Sequence, residues 1–218
     1  MTGPEGQLRI TEIFLSLQGE TNTMGLPTVF VRLTGCPLRC QYCDTAYAFS
    51  GGELMSLAVI VETVRDKGVR HVTVTGGEPL AQPNVHALLT TLCDENFIVS
   101  LETSGAIDIS GVDARVVKIL DLKTPGSGEV SRNLWENINH CDPKDQIKFV
   151  ICNRQDYDWA KLKCDEYAVS SKVADVLFSP SAEEMSATEL ADWIIEDRLA
   201  VRMQIQLHKY LWGDQPGR

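Results

Sequence analysis

The chain has 218 residues, of which 44% are hydrophobic and 23% are charged, a composition that is ordinary for a folded protein and excludes extensive disorder. Its net charge is −10, from 20 basic and 30 acidic side chains, and a field of that sign disfavours nucleic acid and anionic membrane surfaces as partners. Typical domains contain roughly 100–200 residues, so we expect residues 1–218 to form one domain.

The apolar runs and the first residues indicate where the protein works. The longest uninterrupted apolar run is Leu57–Val61, which is far shorter than the roughly 20 residues that a membrane-spanning helix needs. Residues Met1–Gly6 lack a positive region followed by an apolar stretch, so we expect no signal peptide. These two features favour a cytoplasmic protein.

Short β-rich runs alternate with helical stretches along the chain. Strands are predicted at Thr28–Leu33, His71–Thr75, Phe97–Glu102, Val116–Leu122, Gln146–Ile151, Val173–Phe178 and Val201–Leu207. Helices are predicted at Leu54–Lys67 (ended by Gly68), Asn84–Glu95, Asn133–His140, Asp156–Tyr167 and Ser186–Arg198. Repeated βα units predict a mainly parallel sheet. Because the chain is short for an eight-unit barrel of about 250 residues, we expect an α/β fold, an incomplete, open βα barrel of about six or seven mainly parallel strands.

Unusual residues follow the predicted strands. In folds of this class, ligands bind at the carboxyl ends of the strands. The segments concerned are a cysteine-rich loop after Leu33, Gly76–Pro79, Glu102–Gly105, Asp121–Lys123 and Ser179–Pro180. Their convergence on one rim predicts a single binding site there.

Three of the seven cysteines, Cys36, Cys40 and Cys43, lie within eight residues. A loop this short can wrap three thiolates around one compact metal centre. A structural zinc site normally has four protein ligands, and a redox Cys-x-x-Cys motif uses only two thiols. Three thiolates on a four-iron cluster would leave one iron open, as a catalytic centre requires. The other cysteines are predicted to be small buried apolar residues: Cys93, Cys141, Cys152 and Cys164.

The cysteine spacing, with Tyr42 beside the last thiol, resembles the cluster motif of the radical S-adenosylmethionine enzymes, and Gly76–Pro79 resembles their glycine-rich motif. A closer resemblance, over nearly the whole chain, is to the 7-carboxy-7-deazaguanine synthases of queuosine biosynthesis. It is carried by Leu17–Glu20, Phe30–Cys36, Cys43–Thr45, Thr75–Pro79, Glu102–Gly105 and Gln206–Leu211.

The resemblance implies a lyase that uses a [4Fe–4S] cluster, S-adenosylmethionine and Mg²⁺. A 5′-deoxyadenosyl radical would take a hydrogen atom from C6 of 6-carboxy-5,6,7,8-tetrahydropterin. The ring would then contract and lose ammonia, giving 7-carboxy-7-deazaguanine, and the cofactor would be regenerated. A homodimer and a flavodoxin-type or ferredoxin-type electron donor are expected on the same ground.

The resemblance also implies roles for individual residues. The cluster ligands would be Cys36, Cys40 and Cys43, and Thr45 would bind Mg²⁺. Contacts to S-adenosylmethionine would come from Tyr42, Cys43, Asp44, Gly77, Asp121, Leu122, Lys123, Ser179, Pro180, Ser181 and Ala182. Contacts to the pterin would come from Leu17, Gln18, Gly19, Arg32, Thr75, Glu102 and His208.

The chain departs from the family pattern at a few positions. It has Asp121-Leu122-Lys123 where the family often has Ser-Pro-Lys, and Thr21 where the family usually has glycine. Some family members end near the position of Asp214 and reach the substrate with their terminal carboxylate, whereas this chain continues to Arg218.

The chemistry of two charged residues suits the implied substrate. Arg32 lies in an apolar strand, and its guanidinium could hold a carboxylate by two hydrogen bonds. Glu102 could accept hydrogen bonds from the amino and ring N–H groups of a pterin. The alternative for both is a structural ion pair, of Arg32 with Glu20 or Glu102, or of Glu102 with a lysine.

Two other functions remain open from the sequence. One is a different radical enzyme, such as an activase that places a glycyl radical on a partner protein, although such activases commonly carry extra cluster cysteines. The other is a non-catalytic module that uses the thiols to bind zinc.

Overall fold

The computed structural model describes residues 6–182, 184–213, 215 and 217, and within them nine strands form one sheet. The strands are β1 Gln7–Leu17, β2 Pro27–Leu33, β3 Glu53–Ser56, β4 His71–Gly76, β5 Ile98–Thr103, β6 Val117–Asp121, β7 Gln146–Ile151, β8 Asp175–Pro180 and β9 Arg202–Met203. Their order across the sheet is β3-β1-β2-β4-β5-β6-β7-β8-β9. Strand β1 pairs antiparallel with β2 and β3, and every later pair is parallel. The order ends at β3 and β9, so the barrel is open, and the expected fold class is confirmed.

Five α-helices accompany the sheet within the described residues. They are α1 Leu57–Asp66, α2 Val85–Asp94, α3 Arg154–Glu166, α4 Ala187–Glu196 and α5 Leu207–Trp212. Short 3₁₀ helices occur at Ala46–Phe49, Pro79–Ala81, Pro125–Ser127, Val130–Arg132, Trp135–His140 and Val169–Ser171. None of the helices in the described part of the chain is both long and apolar enough to span a membrane.

The antiparallel edge of the sheet was not predicted from the sequence. Strand β1 runs for 11 residues, but a register shift between Ile10 and Glu12 interrupts its alternation of polar and apolar residues. The helix predicted from Leu54 begins only at Leu57, because Glu53–Ser56 pairs with the start of β1. The Ser56 side chain then caps α1 by accepting a hydrogen bond from the Val59 amide.

The C-terminal end also differs from the prediction. The strand expected at Val201–Leu207 shortens to Arg202–Met203. The Gln204 amide still bonds to the Phe178 carbonyl of β8, and beyond it the chain turns away, because the Leu207 amide bonds to the Gly19 carbonyl. Residues 207–212 form α5, which was not predicted, and the expected helix at 133–140 is a 3₁₀ helix from Trp135.

Alternation along the strands separates the hydrophobic core from a polar interior. On β2, Val29, Val31 and Leu33 are fully buried in the core. Phe30 and Arg32 point to the opposite face, into a cavity inside the partial barrel. Since successive side chains of a strand face opposite sides, this pattern carries an arginine into the interior without placing it in the apolar layer.

Phe149 tests the layer between the sheet and α3. Its ring is fully buried and meets Phe178 and Trp159 edge-on, at centroid distances of 5.7 and 6.3 Å. We expect Phe149→Ala to lower the free energy of unfolding by about 3–5 kcal/mol, because it leaves a cavity. Urea denaturation measures this change. The control Leu162→Ala, at a position on α3 that is 62% exposed, should cost less than about 0.5 kcal/mol, and equal losses in the two variants would contradict the assignment.

Candidate active site

An open cavity of about 550 Å³ lies at the carboxyl ends of the parallel strands, within the usual range for a ligand site. The structure brings together all but one of the site residues predicted from the sequence. Lining the cavity are Leu17, Gln18, Gly19, Arg32, Cys36, Cys40, Tyr42, Cys43, Asp44, Thr45, Thr75, Gly77, Glu102, Asp121, Lys123, Ser179, Pro180, Ser181, Ala182 and His208. The exception is Leu122, which is fully buried in the core and whose amide bonds to the Lys148 carbonyl.

The cysteine loop leaves β2 at Gly35, whose positive φ of 98° favours glycine. The Arg39 guanidinium ties the loop to itself by donating to the Cys36 and Leu38 carbonyls at 2.7 and 2.6 Å. The thiols of Cys36, Cys40 and Cys43 are unpaired and half-buried. The backbone therefore holds three thiols at the cavity wall.

Burial affects the chemistry of these thiols. It raises the pKa of Cys36, and it raises the pKa of Cys40 to about 11 despite the nearby Lys123 ammonium. Binding a metal centre must therefore displace protons from the thiols. Within the described residues, no group of three His, Cys, Asp or Glu side chains is arranged to hold a single metal ion.

The glycine turn after β4 packs directly on the cysteine loop. The Gly77 amide bonds to the Leu33 carbonyl at 3.1 Å, and the Glu78 amide bonds to the Gly35 carbonyl at 2.8 Å. A Cβ atom on Gly77 would lie 2.3 Å from the Gly35 oxygen and 2.9 Å from the Cys36 Cβ. Only glycine fits this approach.

Glu78 was not singled out from the sequence, yet it anchors this turn. Its carboxylate is fully buried. It accepts hydrogen bonds from the Thr103 hydroxyl at 2.9 Å, the Ser104 amide at 2.7 Å and the Leu80 amide at 3.0 Å. The acidic residue after two glycines is the one signal in the sequence, but its partners follow the neighbouring strand β5 and emerge only from the register.

One side of the cavity has polar atoms without partners. The Tyr42 hydroxyl, the Asp121 Oδ1 and the Ser179 hydroxyl are buried and have no hydrogen-bond partner among the described residues. The other Asp121 oxygen forms an ion pair with the Lys123 ammonium at 3.1 Å. Buried polar atoms are normally hydrogen-bonded, so these three indicate a polar ligand on this side.

Arg32 also lines the cavity. Its ion-pair partner is Glu12, and neither Glu20 nor Glu102, the partners considered from the sequence, pairs with it. Its Nε donates to Glu12 at 2.8 Å, and its guanidinium lies between the Phe14 and Tyr47 rings, 5.9 and 5.8 Å from their centroids. This is the only hydrogen bond of the guanidinium among the described residues, so its terminal nitrogens face the cavity with donors to spare. Glu20 pairs with Lys148 instead.

Glu102 accepts hydrogen bonds from the Thr75 hydroxyl at 3.0 Å and the Gln18 amide nitrogen at 3.4 Å. Burial raises the pKa of the Glu102 carboxyl, and the neighbouring negative charge of Glu20 raises it further. Glu102 is therefore a hydrogen-bond acceptor whose ionised form is disfavoured by its surroundings.

The C-terminal helix α5 closes the cavity between its two sides. His208 lies over Gly19, where a Cβ atom would be only 2.1 Å from the imidazole Nδ1. Asp44 accepts hydrogen bonds from Gln206 at 2.9 Å and from Thr45 at 2.8 Å. Although burial raises the pKa of Asp44, these hydrogen bonds and the positive charges of Lys209 and Lys148 together outweigh it and lower the pKa below its usual value.

Thr21 and Asp214 are two positions at which the chain departs from the family pattern, and the structure describes the first of them. Thr21 adopts a φ of 67°, the left-handed conformation that glycine reaches most easily. Its amide bonds to the Gln204 side chain at 2.8 Å, so the turn forms without glycine. Asp214 lies outside the described residues.

An open parallel barrel, with three thiols after its first parallel strand and a glycine turn after its second, is the architecture of the radical S-adenosylmethionine enzymes. The Radical SAM superfamily model matches residues 30–122. The 7-carboxy-7-deazaguanine synthase of Chlorobaculum tepidum is 41% identical, with 96% of each chain covered. That of Koribacter versatilis is 39% identical over 94% of this chain and 97% of the relative.

The chain belongs to the 7-carboxy-7-deazaguanine synthase family. The fold agrees with this assignment: the crystal structure of QueE from Escherichia coli superposes with a TM-score of 0.76 at 23% identity, covering 93% of this chain and 95% of that one. The superfamily implies a [4Fe–4S] cluster and S-adenosylmethionine. The three thiols supply soft ligands of the right kind, and the unpartnered oxygens of Tyr42, Asp121 and Ser179 suit a polar cofactor beside them.

Gly77 tests the packing between the glycine turn and the cysteine loop. We expect Gly77→Ala to push the loop aside, because the added Cβ has no room, and to reduce the iron retained after anaerobic reconstitution. Iron content and visible absorption measure this loss. The control is Gly111→Ala, whose Cβ would lie at an ordinary 3.6 Å from His86. Full iron content in Gly77→Ala would contradict the tight packing.

Proposed function

We propose that this protein converts 6-carboxy-5,6,7,8-tetrahydropterin to 7-carboxy-7-deazaguanine with loss of ammonia, in queuosine biosynthesis. Its family membership, at 41% identity over 212 residues, carries the proposal. The cavity supports it, because the three thiols, Arg32 and Glu102 all line the same space.

The cofactor side is assigned to three groups of residues. Cys36, Cys40 and Cys43 hold the cluster, and when bound, the cluster and S-adenosylmethionine supply the radical that begins the reaction. The carbonyl oxygens of the Gly76–Gly77 turn are suited to accept hydrogen bonds from an amino group, since no side chain shields them. Lining the remaining surface are Tyr42, Asp44, Asp121, Lys123 and Ser179–Ala182, and Leu122 supports them from the core.

The substrate side recognises an acid and a heterocycle. The terminal nitrogens of Arg32 take the substrate carboxylate, and His208 of α5 lines the same cavity. Glu102, oriented by Thr75 and Gln18, accepts hydrogen bonds from the pterin N–H groups. The strip Leu17–Gly19 forms the adjoining wall.

Further components follow from the same proposal. Thr45 supplies a hard oxygen ligand for Mg²⁺ together with waters and substrate oxygens, after its hydroxyl turns from Asp44. A homodimer, a flavodoxin-type or ferredoxin-type donor and a cytoplasmic location complete it. One domain is supported by the single sheet and the continuous core of the described residues.

The central experiment combines metal analysis with turnover. Anaerobically reconstituted protein should hold about four irons per chain and convert the carboxypterin only with S-adenosylmethionine and a reductant. Cys40→Ala should lose the cluster and all turnover, whereas Cys141→Ala, at a half-buried thiol that bonds to the Asn137 carbonyl, should keep both. Turnover that survives Cys40→Ala would reject the mechanism. Stoichiometric consumption of S-adenosylmethionine with an inert pterin would favour a glycyl-radical activase, and colourless zinc-loaded protein would favour the metal-binding module.

Glu102 gives the binding step a pH dependence. Because the pKa of Glu102 is raised, its carboxyl takes up a proton at a higher pH than the ordinary value of about 4.3. We expect the affinity for 6-carboxypterin, an unreactive analogue, to fall as pH decreases through that raised pKa, since the neutral carboxyl is a weaker acceptor. Fluorescence titration from neutral to acidic pH measures this. Glu102→Gln should bind more weakly at neutral pH and show a flatter profile, and parallel profiles for the two proteins would contradict the assignment.

A further inference from the structure

Lys148 lies on β7 and places its ammonium on the floor of the cavity, although no sequence motif singles it out. In the parallel register it stands beside Asp121 of β6. Its Nζ forms an ion pair with Glu20, and only 12% of each of the two side chains is exposed. The pair therefore lies between the cofactor side of the cavity and the substrate side.

Lys148 keeps its charge in this position. Burial acts to lower the pKa of Lys148, but the carboxylates of Glu20, Asp121 and Glu102 outweigh burial and raise it. The same ammonium acts to lower the pKa of Tyr42, Asp44 and His208. The Lys148 ammonium thus stands among three carboxylates, of which Asp121 also pairs with Lys123.

The Lys148 ammonium has N–H donors that form no hydrogen bond within the described residues. An ammonium carries three protons and has no acceptor. Glu20 is the only hydrogen-bond partner of Lys148 Nζ among the described residues. The cavity therefore presents donors at Lys148 next to acceptors at Glu20 and Glu102.

This arrangement complements one edge of a pterin. The pyrimidinone ring carries an amino group at position 2, a ring N–H at position 3 and an oxygen at position 4, so donors stand beside an acceptor. Carboxylates suit the amino and N–H groups, and an ammonium suits the oxygen. An amino group at position 4 would instead turn its protons toward the ammonium.

We propose that Lys148, held in place by Glu20, is a specificity-determining residue that donates a hydrogen bond to the 4-oxo group of the substrate and rejects a 4-amino group. The proposal rests on the proposed function, because it names the substrate atom that one residue reads. It adds a role in substrate specificity for Lys148, which belongs to neither the cysteine motif nor the glycine turn.

Two fluorescent pteridines test the proposal on the reconstituted protein with S-adenosylmethionine bound. They are 6-carboxypterin, with a 4-oxo group, and 2,4-diaminopteridine-6-carboxylate, with a 4-amino group. Wild-type protein should prefer the 4-oxo compound by about tenfold or more, because a misplaced donor leaves buried groups unpaired. Lys148→Met should lower the ratio of the two dissociation constants severalfold, because it removes the discrimination at position 4, while the unprotonated N3 of the diamino compound still faces the carboxylates. Lys172→Met, which removes a lysine that bonds to Asn139 outside the cavity, should keep the wild-type ratio.

A second variant covers the case in which Glu20, buried without its cation, prevents Lys148→Met from folding. The double variant Glu20→Gln/Lys148→Met removes both charges. A ratio in the double variant that is severalfold below the wild-type value supports donation from Lys148 to the substrate. A ratio restored to the wild-type value shows that Lys148 serves only to neutralise Glu20, and overturns the proposal.

The same titrations distinguish a failure of the proposed function from a failure of the role proposed for Lys148. Wild-type protein that binds neither pteridine overturns the proposed function and this inference with it. Wild-type protein that prefers 6-carboxypterin, together with an unchanged preference in Lys148→Met, overturns the inference alone.

Discussion

The close approach of the glycine turn to the cysteine loop is the contact on which the rest of the site depends. Two backbone hydrogen bonds, from the Gly77 and Glu78 amides, fix the turn against the end of β2 and the start of the loop. The buried carboxylate of Glu78 then ties the turn to Thr103 and Ser104 at the end of β5. The ends of the neighbouring strands β2, β4 and β5 are thereby locked together, and two of them lead into the cysteine loop and the glycine turn that we propose to contact the cofactors. A buried carboxylate is stable here because backbone and hydroxyl donors surround it.

Much of the parallel half of the fold could be predicted, because its strands are short runs rich in β-branched and other apolar residues that alternate with helical stretches. The antiparallel edge could not, since the register shift near Ile10 and Glu12 breaks the period of two that identifies a strand. Helix α5 escaped prediction for a different reason. It has only six residues and none of them is buried, and a helix of that length has little stability of its own.

Some residues of the candidate site were predictable from the sequence and others were not. The thiols, the glycines and Arg32 stand out locally, because each is unusual in its own segment. Glu78 and Lys148 do not, because a glutamate in a turn or a lysine in a strand is ordinary until the register supplies its partners. Glu12 shows the same limit: it binds Arg32 across the β1–β2 pair, and β1 itself was not predicted.

Helix α5 connects the two sides of the cavity through polar contacts. The Leu207 amide bonds to the Gly19 carbonyl, on the strip that we propose to contact the substrate, and the Gln206 side chain bonds to Asp44, beside Cys43. Since α5 has no buried residue of its own, these contacts determine where His208 lies. The absence of a side chain at Gly19 leaves the space that the imidazole fills. A shift of the cysteine loop therefore moves the anchor of His208, and the geometry of the substrate side depends on that of the cofactor side.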